Sequence, residues 1–273
     1  MEGSIVRGRG SEDCLGNAIC VARCLVNLKG KASISAIFTC DEEIGGETTS
    51  AMVKRGYIGK KMAIVMDGGA YTVTIAQKGI LVLKVIAHGQ NGHASAPWAY
   101  ENAIEKLVAG FARLRASWAQ ASSDDQWHNT MTPCMIHAGS ADNQIPDRAE
   151  MTINIRFTKD GDVDKIIDMV KNITGLEVQT SRLCYPLYSC EEDPMLKAIL
   201  EAIGKAFPEK EVKFSRMNGA TDARHMRSMK VPVAVLGVPG GGAHSANEWV
   251  DLDGIKKYSD LLIDFAQKMA SGI

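Results

Sequence analysis

ASISAIFTCDEE (residues 32–43) and KMAIVMDGG (residues 61–69) are two apolar runs that each end in acidic residues. Residues 47–56, between them, have the composition of a short helix. The order of buried strand, helix and buried strand is typical of a doubly wound α/β domain with a parallel sheet. The sequence therefore predicts neighbouring strands at 32–39 and near 63–66, with acidic residues where each strand ends.

The pattern changes near residue 72, where apolar and polar residues begin to alternate. Strands, a long amphipathic segment and a second helix follow in the order β-β-α-β-β-α-β, at about 71–77, 79–89, 102–121, 131–139, 149–157, 162–174 and 176–184. Helix and strand alternation returns from about residue 190. We predict a sheet domain formed by residues 1–75 and 185–273, which is split by an inserted domain of residues 76–184.

Composition restricts the class of protein. Thirty-one basic and 32 acidic residues leave a net charge of −1, so no basic field is available to bind nucleic acid or an anionic membrane. No stretch approaches the roughly 18 apolar residues that a membrane span needs. Seven scattered cysteines without a CxxC pair favour a reducing compartment, and we expect a cytoplasmic protein with a small-molecule or peptide partner.

Several acidic residues follow predicted strands or loops of the sheet domain. Asp13 ends the loop GRGSED, Glu42 and Glu43 follow the run IFTC, and Asp67 follows AIVM. His244 lies in the glycine-rich turn after VAVLGV. The carboxyl ends of strands in an open α/β sheet are where ligands bind, and converging carboxylates repel unless a cation joins them. Carboxylates with an imidazole suit zinc or a similar divalent metal.

Each of these residues also has a simpler interpretation. A single acidic residue after a strand is commonly a helix cap or a solvated loop residue, and adjacent glutamates are commonly a solvated pair. Their joint placement is what indicates a metal site.

Five motifs of this chain resemble those of the M20 metallopeptidases, in the same order and spacing. They are GRGSED, TCDEEIGGE, MDGG, GQNGHASAP and GAHSANEWV, and the resemblance runs from about Gly8 to the C-terminus. The family includes acetylornithine deacetylase, succinyl-diaminopimelate desuccinylase, aminoacylase and carboxypeptidase relatives. The resemblance implies a zinc-peptidase-type sheet domain with an inserted two-layer α/β lid or dimerisation domain.

The resemblance also implies roles for the acidic residues and His244. Asp13 looks like the carboxylate that bridges two zinc ions, and Glu42 resembles the general base that takes a proton from the activated water. Glu43 and His244 look like the remaining ligands of one zinc, and Asp67 like a ligand of the other. One or two zinc ions are expected, and cobalt or manganese would accept the same ligands.

Three residues of the inserted domain also match family positions. His93 looks like the histidine that stabilises the oxyanion, commonly in the site of a partner subunit, which implies a homodimer through the lid. Asn143, in ADNQIPD, and Arg156, in NIRF, resemble residues that contact the substrate and its carboxylate. Without the family, Asn143 would be interpreted as a turn residue and Arg156 as a surface strand residue. The segment NGATDARHM resembles one that lines the cleft.

The chain departs from the family pattern at its start. Family members have a further segment with an H-x-D motif before the equivalent of Gly8, and no His-x-Asp occurs in these 273 residues. A fragment, a short natural relative and a different start codon would each account for this N-terminally truncated pattern. We expect one metal held by Asp13, Glu43 and His244, a second held poorly through Asp67, and exposed apolar surface on the sheet domain.

The sequence thus predicts a metal-dependent hydrolase that cleaves the amide bond of an N-acyl amino acid or small peptide. The alternative is a non-catalytic fragment or pseudoenzyme of the same fold that binds metal or ligand without turnover. A third hypothesis is that the inserted domain alone acts, as a dimerisation module.

Overall fold

The computed structural model describes residues 3–119 and 125–271 of the protein. Within these ranges the strands, in chain order, are β1 (Ile5–Arg7), β2 (Ala63–Met66), β3 (Thr72–Gln77), β4 (Gly79–His88), β5 (Gly92–His93), β6 (Thr130–Ala138), β7 (Gln144–Ile145), β8 (Arg148–Phe157), β9 (Glu177–Cys184), β10 (Leu187–Tyr188), β11 (Lys213–Met217), β12 (Val233–Leu236), β13 (Gly240–Gly241) and β14 (Trp249–Asp251). The α-helices are α1 (Asn17–Leu28), α2 (Glu47–Lys54), α3 (Ala103–Ser117), α4 (Val163–Thr174), α5 (Pro194–Ala206) and α6 (Leu252–Ser271). None of the helices in the described ranges is both long and apolar enough to cross a membrane.

The chain divides into two compact units. The first unit comprises Met1–Gln77, Leu187–Met217 and Thr221–Ile273, and the second comprises Lys78–Pro186 and Asn218–Ala220. Both units are thus discontinuous in sequence, and Lys78–Pro186, the main segment of the second unit, is an insertion after β3.

The central sheet of the first unit is mixed rather than purely parallel. Its strands lie in the order β10-β3-β12-β2, and β11 pairs with β3. The β2–β12 and β3–β11 pairs are parallel, whereas β10 and β12 pair with β3 in the antiparallel sense. A second, three-stranded sheet has the order β1-β14-β13.

Both faces of β12 are buried, which is the arrangement expected of a doubly wound domain. Ala234 and Leu236 pack in a core with residues of α1, α5 and α6. Val233 and Val235 point to the opposite face, where they pack with Ala223 of the short 3₁₀ helix Asp222–Met229. The predicted α/β class is confirmed.

The strand predicted at 32–39 is wrong. Residues 33–39 form no strand, and the edge strand β2 pairs with β12 alone among the described strands. A run of β-prone residues becomes a strand only when a neighbour satisfies its backbone N–H and C=O groups. The side chains of Ile34 and Phe38 are 38% and 56% exposed, so these two apolar residues of the run are not used in a core of the described residues.

The second unit is a two-layer α/β sandwich. Its antiparallel sheet has the order β6-β8-β4-β9, and α3 and α4 cover one face. Strand β8 alternates strictly: Met151, Ile153 and Ile155 are in the core, while Asn154 and Arg156 point to the other face. The amphipathic segment predicted at 102–121 corresponds to α3, and residues 120 and 121 lie outside the described residues.

Candidate metal centre

Asp13 lies in the turn that precedes α1, and a buried carboxylate positions this turn. Glu248, whose side chain is 1% exposed, accepts hydrogen bonds from the backbone N–H groups of Gly10, Glu12 and Asp13, at 2.8, 2.9 and 3.0 Å. These N–H groups, with the charge of Arg9, hold the pKa of Glu248 below its ordinary value. The turn that carries Asp13 is therefore tied to the segment that carries His244.

His244 adopts a left-handed backbone conformation, with φ of 61°. Non-glycine residues rarely adopt this conformation, and such residues cluster at functional sites. Its Nε2 atom lies 2.9 Å from Oδ2 of Asp13 and 3.0 Å from Oε1 of Glu43. The hydrogen bond to Glu43, together with the charges of Glu43 and Asp13, raises the pKa of His244.

One ligand atom from each of Asp13, Glu43 and His244 lies within 4.8 Å of the others. Two carboxylate oxygens and one imidazole nitrogen at this separation are a donor set that suits zinc, with further coordination positions left for water and substrate. This is the part of the predicted site that the structure brings closest together.

Asp67 follows β2 and shares the electrostatic environment of this cluster. Burial raises its pKa to about 7, and the negative charges of Glu42 and Asp13 contribute. Several carboxylates that raise one another's pKa are what a multivalent cation would stabilise. The chemistry of the described residues therefore fits a divalent metal, with Asp67 beside the three clustered ligands rather than among them.

Glu42 lies in the 3₁₀ turn Glu42–Ile44 and faces a buried guanidinium. Nη1 of Arg224 lies 3.5 Å from Oε1 of Glu42, and Nη2 donates a 2.7 Å hydrogen bond to the carbonyl oxygen of Gly45. Burial raises the pKa of Glu42, and the positive charge of Arg224 opposes this effect. Arg224, 4% exposed, thus holds both the side chain and the turn of Glu42.

Asp222 connects this turn to α2. It lies 3.4 Å from Nη2 of Arg224 and accepts a hydrogen bond from Oγ1 of Thr49. Gly46, with φ of 62°, passes so close that a Cβ there would lie 1.8 Å from Oδ1 of Asp222. Only glycine fits this conformation and this space.

The three remaining predicted site residues lie on the second unit. His93 in β5 pairs with Gln144 in β7, and the backbone N–H of Ala94 donates a 2.9 Å hydrogen bond to the carbonyl oxygen of Asn143. His93 and Asn143 are therefore neighbours at one small two-stranded sheet, and both are exposed. Arg156 lies on β8, where its Nε donates a 3.1 Å hydrogen bond to Oδ1 of Asn154.

Two residues position the site through contacts that the sequence did not indicate: Glu248 was given no role, and Arg224 was expected only as part of a segment that resembles one lining the cleft. Glu248 lies inside the motif GAHSANEWV, and Arg224 lies inside NGATDARHM. Their partners are 235 to 238 and 179 to 182 residues away in the chain. The one sequence feature that could have indicated Glu248 is its position, four residues after the candidate ligand His244.

The chain is similar to known proteins over nearly its whole length. The model of peptidase family M20/M25/M40 matches residues 2–268. A probable succinyl-diaminopimelate desuccinylase of Staphylococcus aureus is 24% identical over 93% of this chain and 73% of the relative. A putative succinyl-diaminopimelate desuccinylase of Mycobacterium tuberculosis is 29% identical over 76% of this chain and 58% of the relative.

Solved structures show the same fold. Aminopeptidase PepT from Bacillus cereus matches with a TM-score of 0.81 at 16% identity, over 99% of this chain and 75% of that one. A metallo-carboxypeptidase from Sulfolobus solfataricus matches with a TM-score of 0.76 at 14% identity, over 98% of this chain and 78% of that one.

Proposed function

The chain belongs to peptidase family M20/M25/M40, and from that premise we propose that it cleaves the amide bond of an N-acyl amino acid or a small peptide. The observation that carries this proposal is the convergence of Asp13, Glu43 and His244, whose ligand atoms lie within 4.8 Å of one another. The desuccinylases and peptidases to which the chain is similar support the substrate class.

In this proposal Asp13, Glu43 and His244 would hold one zinc ion, and Asp67 would help to hold a second one that it would share with Asp13. Cobalt or manganese would accept the same donors. A divalent metal held there supplies Lewis-acid activation of a water molecule, whose pKa it lowers to about 7.

Glu42 acts as the general base and then delivers the proton to the amine that leaves. Its environment suits this role, because burial raises the pKa of the carboxyl while Arg224 keeps the ionised form accessible. His93 donates a hydrogen bond to the oxyanion that forms on the carbonyl oxygen. Asn143 and Arg156 bind the substrate, with the Arg156 guanidinium on its carboxylate.

We also propose that the chain works in the cytoplasm as a homodimer formed through the second unit. All seven cysteines are unpaired, which suits a reducing compartment. The mostly exposed edge strand β6 offers backbone groups for pairing with a second copy.

The test is hydrolysis of a panel of N-acetyl and N-succinyl amino acids and dipeptides by the zinc-loaded protein, repeated after chelation. We expect chelator-sensitive turnover that Glu42→Gln lowers by at least about 10²-fold, while Glu47→Gln, a control on α2, leaves it unchanged. Absence of turnover on the whole panel, in a sample that binds zinc, would instead support a protein that binds without catalysis.

A further inference from the structure

The backbone around His93 forms a closed turn that is tied to the neighbouring strand. The carbonyl oxygen of His93 accepts a 3.0 Å hydrogen bond from the backbone N–H of Ala96, which closes a β-turn over residues 93–96. Within this turn the backbone N–H of Ala94 donates a 2.9 Å hydrogen bond to the carbonyl oxygen of Asn143. The residues on both sides of Ser95 are therefore held in place.

Two polar groups of Ser95 lie against the same ring nitrogen of His93. The backbone N–H of Ser95 donates a 3.2 Å hydrogen bond to Nδ1 of His93, and Oγ of Ser95 lies 2.8 Å from the same atom. A peptide N–H can only donate, so Nδ1 presents its lone pair there rather than a hydrogen atom. The hydroxyl, which rotates to suit its partner, then donates to Nδ1 as well.

These contacts assign the hydrogen atom of the His93 ring to its other nitrogen. A neutral imidazole carries one N–H group, so Nε2 is the donor when Nδ1 accepts. Within residues 3–119 and 125–271, Nε2 of His93 has no hydrogen-bond partner, and the side chain is exposed. The turn thus presents an oriented N–H donor that the described part of the chain does not use.

His128, in the same unit, has the opposite arrangement. Its Nδ1 lies 3.0 Å from the carbonyl oxygen of Asn129, which can only accept a hydrogen bond. Nδ1 of His128 therefore carries the hydrogen atom, and its Nε2 carries the lone pair. The two histidines are expected in opposite tautomers, each set by a residue close to it in the chain.

We propose that Ser95 is a positioning residue, which fixes His93 in the tautomer protonated at Nε2 and so makes that nitrogen the donor to the oxyanion. The role of the oxyanion rests on the proposed function, whereas the tautomer follows from contacts within one turn. A donor that is already oriented needs no reorganisation when charge develops on the carbonyl oxygen. The other tautomer would present a lone pair at Nε2, which repels the oxyanion.

Nitrogen-15 magnetic resonance of histidine-labelled protein observes the tautomers directly. Spectra of the zinc-loaded protein are recorded at about pH 8.5, above the usual range of imidazole pKa values, and the His93 signals are assigned by their loss in His93→Ala. We expect an unprotonated Nδ1 and a protonated Nε2 for His93, and the reverse for His128. A protonated Nδ1 of His93 in the unmodified protein would overturn the inference.

The same spectra test the part that Ser95 plays. Ser95→Ala is expected to move the Nδ1 signal of His93 towards that of a protonated nitrogen, because only the longer hydrogen bond from the backbone N–H remains. Ser117→Ala, the matched control, removes an exposed hydroxyl from α3 and is expected to leave the signal unchanged. A signal that Ser95→Ala does not move would show that the Ser95 hydroxyl does not set the tautomer.

Kinetics of the same variants connects the tautomer to the reaction. We expect Ser95→Ala to lower kcat about 10-fold with KM unchanged, a smaller loss than that of the whole donor. Ser95→Thr, which keeps the hydroxyl, is expected to recover most of kcat, and Ser117→Ala to change neither constant. A loss confined to KM, or one that threonine does not rescue, would contradict an action through the donor. Because the spectra need no turnover, an inactive protein with the expected tautomers would overturn the proposed function and not the assignment of the tautomer.

Discussion

The carboxylate of Glu248 accepts a 3.0 Å hydrogen bond from the backbone N–H of Asp13. Because Glu248 follows His244 by four residues, a single side chain joins the two segments that carry these candidate ligands. The geometry of the candidate metal centre therefore depends on a residue that is not one of the three clustered ligands.

Replacing Glu248 with glutamine is expected to weaken zinc binding about 10- to 100-fold, the usual effect of residues that orient metal ligands. The amide keeps the size of the side chain but loses its charge and one acceptor oxygen, which leaves N–H donors of the turn unpaired. Competition with a chromogenic chelator measures the affinity. Glu211→Gln, a change at an exposed glutamate, serves as the control. Affinities of both variants equal to that of the unmodified protein would show that Glu248 does not position the turn.

The two glycines that flank α2 offer a matched pair of substitutions, since Gly46 lies before the helix and Gly56 after it. Gly46 and Gly56 both have positive φ, but a Cβ at Gly56 meets nothing within 4 Å, whereas at Gly46 it meets Asp222. We expect Gly56→Ala to lower the free energy of unfolding by about 1–2 kcal/mol from backbone strain alone. Gly46→Ala is expected to cost clearly more, because Asp222 must also move. Denaturant titration of both variants measures the difference, and equal losses would contradict the close contact.

Replacing Arg224 with methionine is expected to lower the free energy of unfolding by about 3–5 kcal/mol, because Asp222 is left as an uncompensated buried charge. The double change Arg224→Met with Asp222→Asn is expected to recover part of this loss. Denaturant titration of the two proteins tests this coupling. If the single and double variants are equally stable, the two side chains do not stabilise each other.

His93→Ala is expected to reduce kcat by about 10²- to 10³-fold, the usual effect of losing one donor to an oxyanion. Zinc content is expected to stay unchanged, because His93 is not among the clustered ligands. Steady-state kinetics and elemental analysis on one sample test both statements. A variant that loses zinc along with activity would assign His93 to the metal centre instead.

Periodicity predicted those parts of the fold in which local pattern and burial agree. The alternation in β8 and the apolar run at β12 are examples, since each residue there follows the environment of its strand. Residues 32–39 have the same apolar character but form no strand, because pairing depends on a neighbour that composition does not reveal. Strand β11 was not predicted from the sequence, because its residues, KFSRM, form a short and mostly polar run.

The residues of the candidate site also fall into those that the sequence could indicate and those that it could not. Asp67 could be found from sequence, because it follows a strand and the ends of strands meet at one edge of a sheet. Glu42 and Glu43 follow a run that forms no strand, so the family motif was the better guide to them. The roles of Glu248 and Arg224 could not, since they arise from contacts between distant segments. Metal binding by Asp13, Glu43 and His244 stays a prediction.

The most direct test of this account is zinc content after dialysis, measured together with turnover of an N-acyl amino acid. The unmodified protein is compared with a variant that carries Asp13→Asn, Glu43→Gln and His244→Ala. We expect the unmodified protein to retain about one zinc per chain and to turn over substrate, and the triple variant to retain neither zinc nor turnover. Equal zinc content and equal turnover in the two proteins would show that these three residues do not form the metal centre.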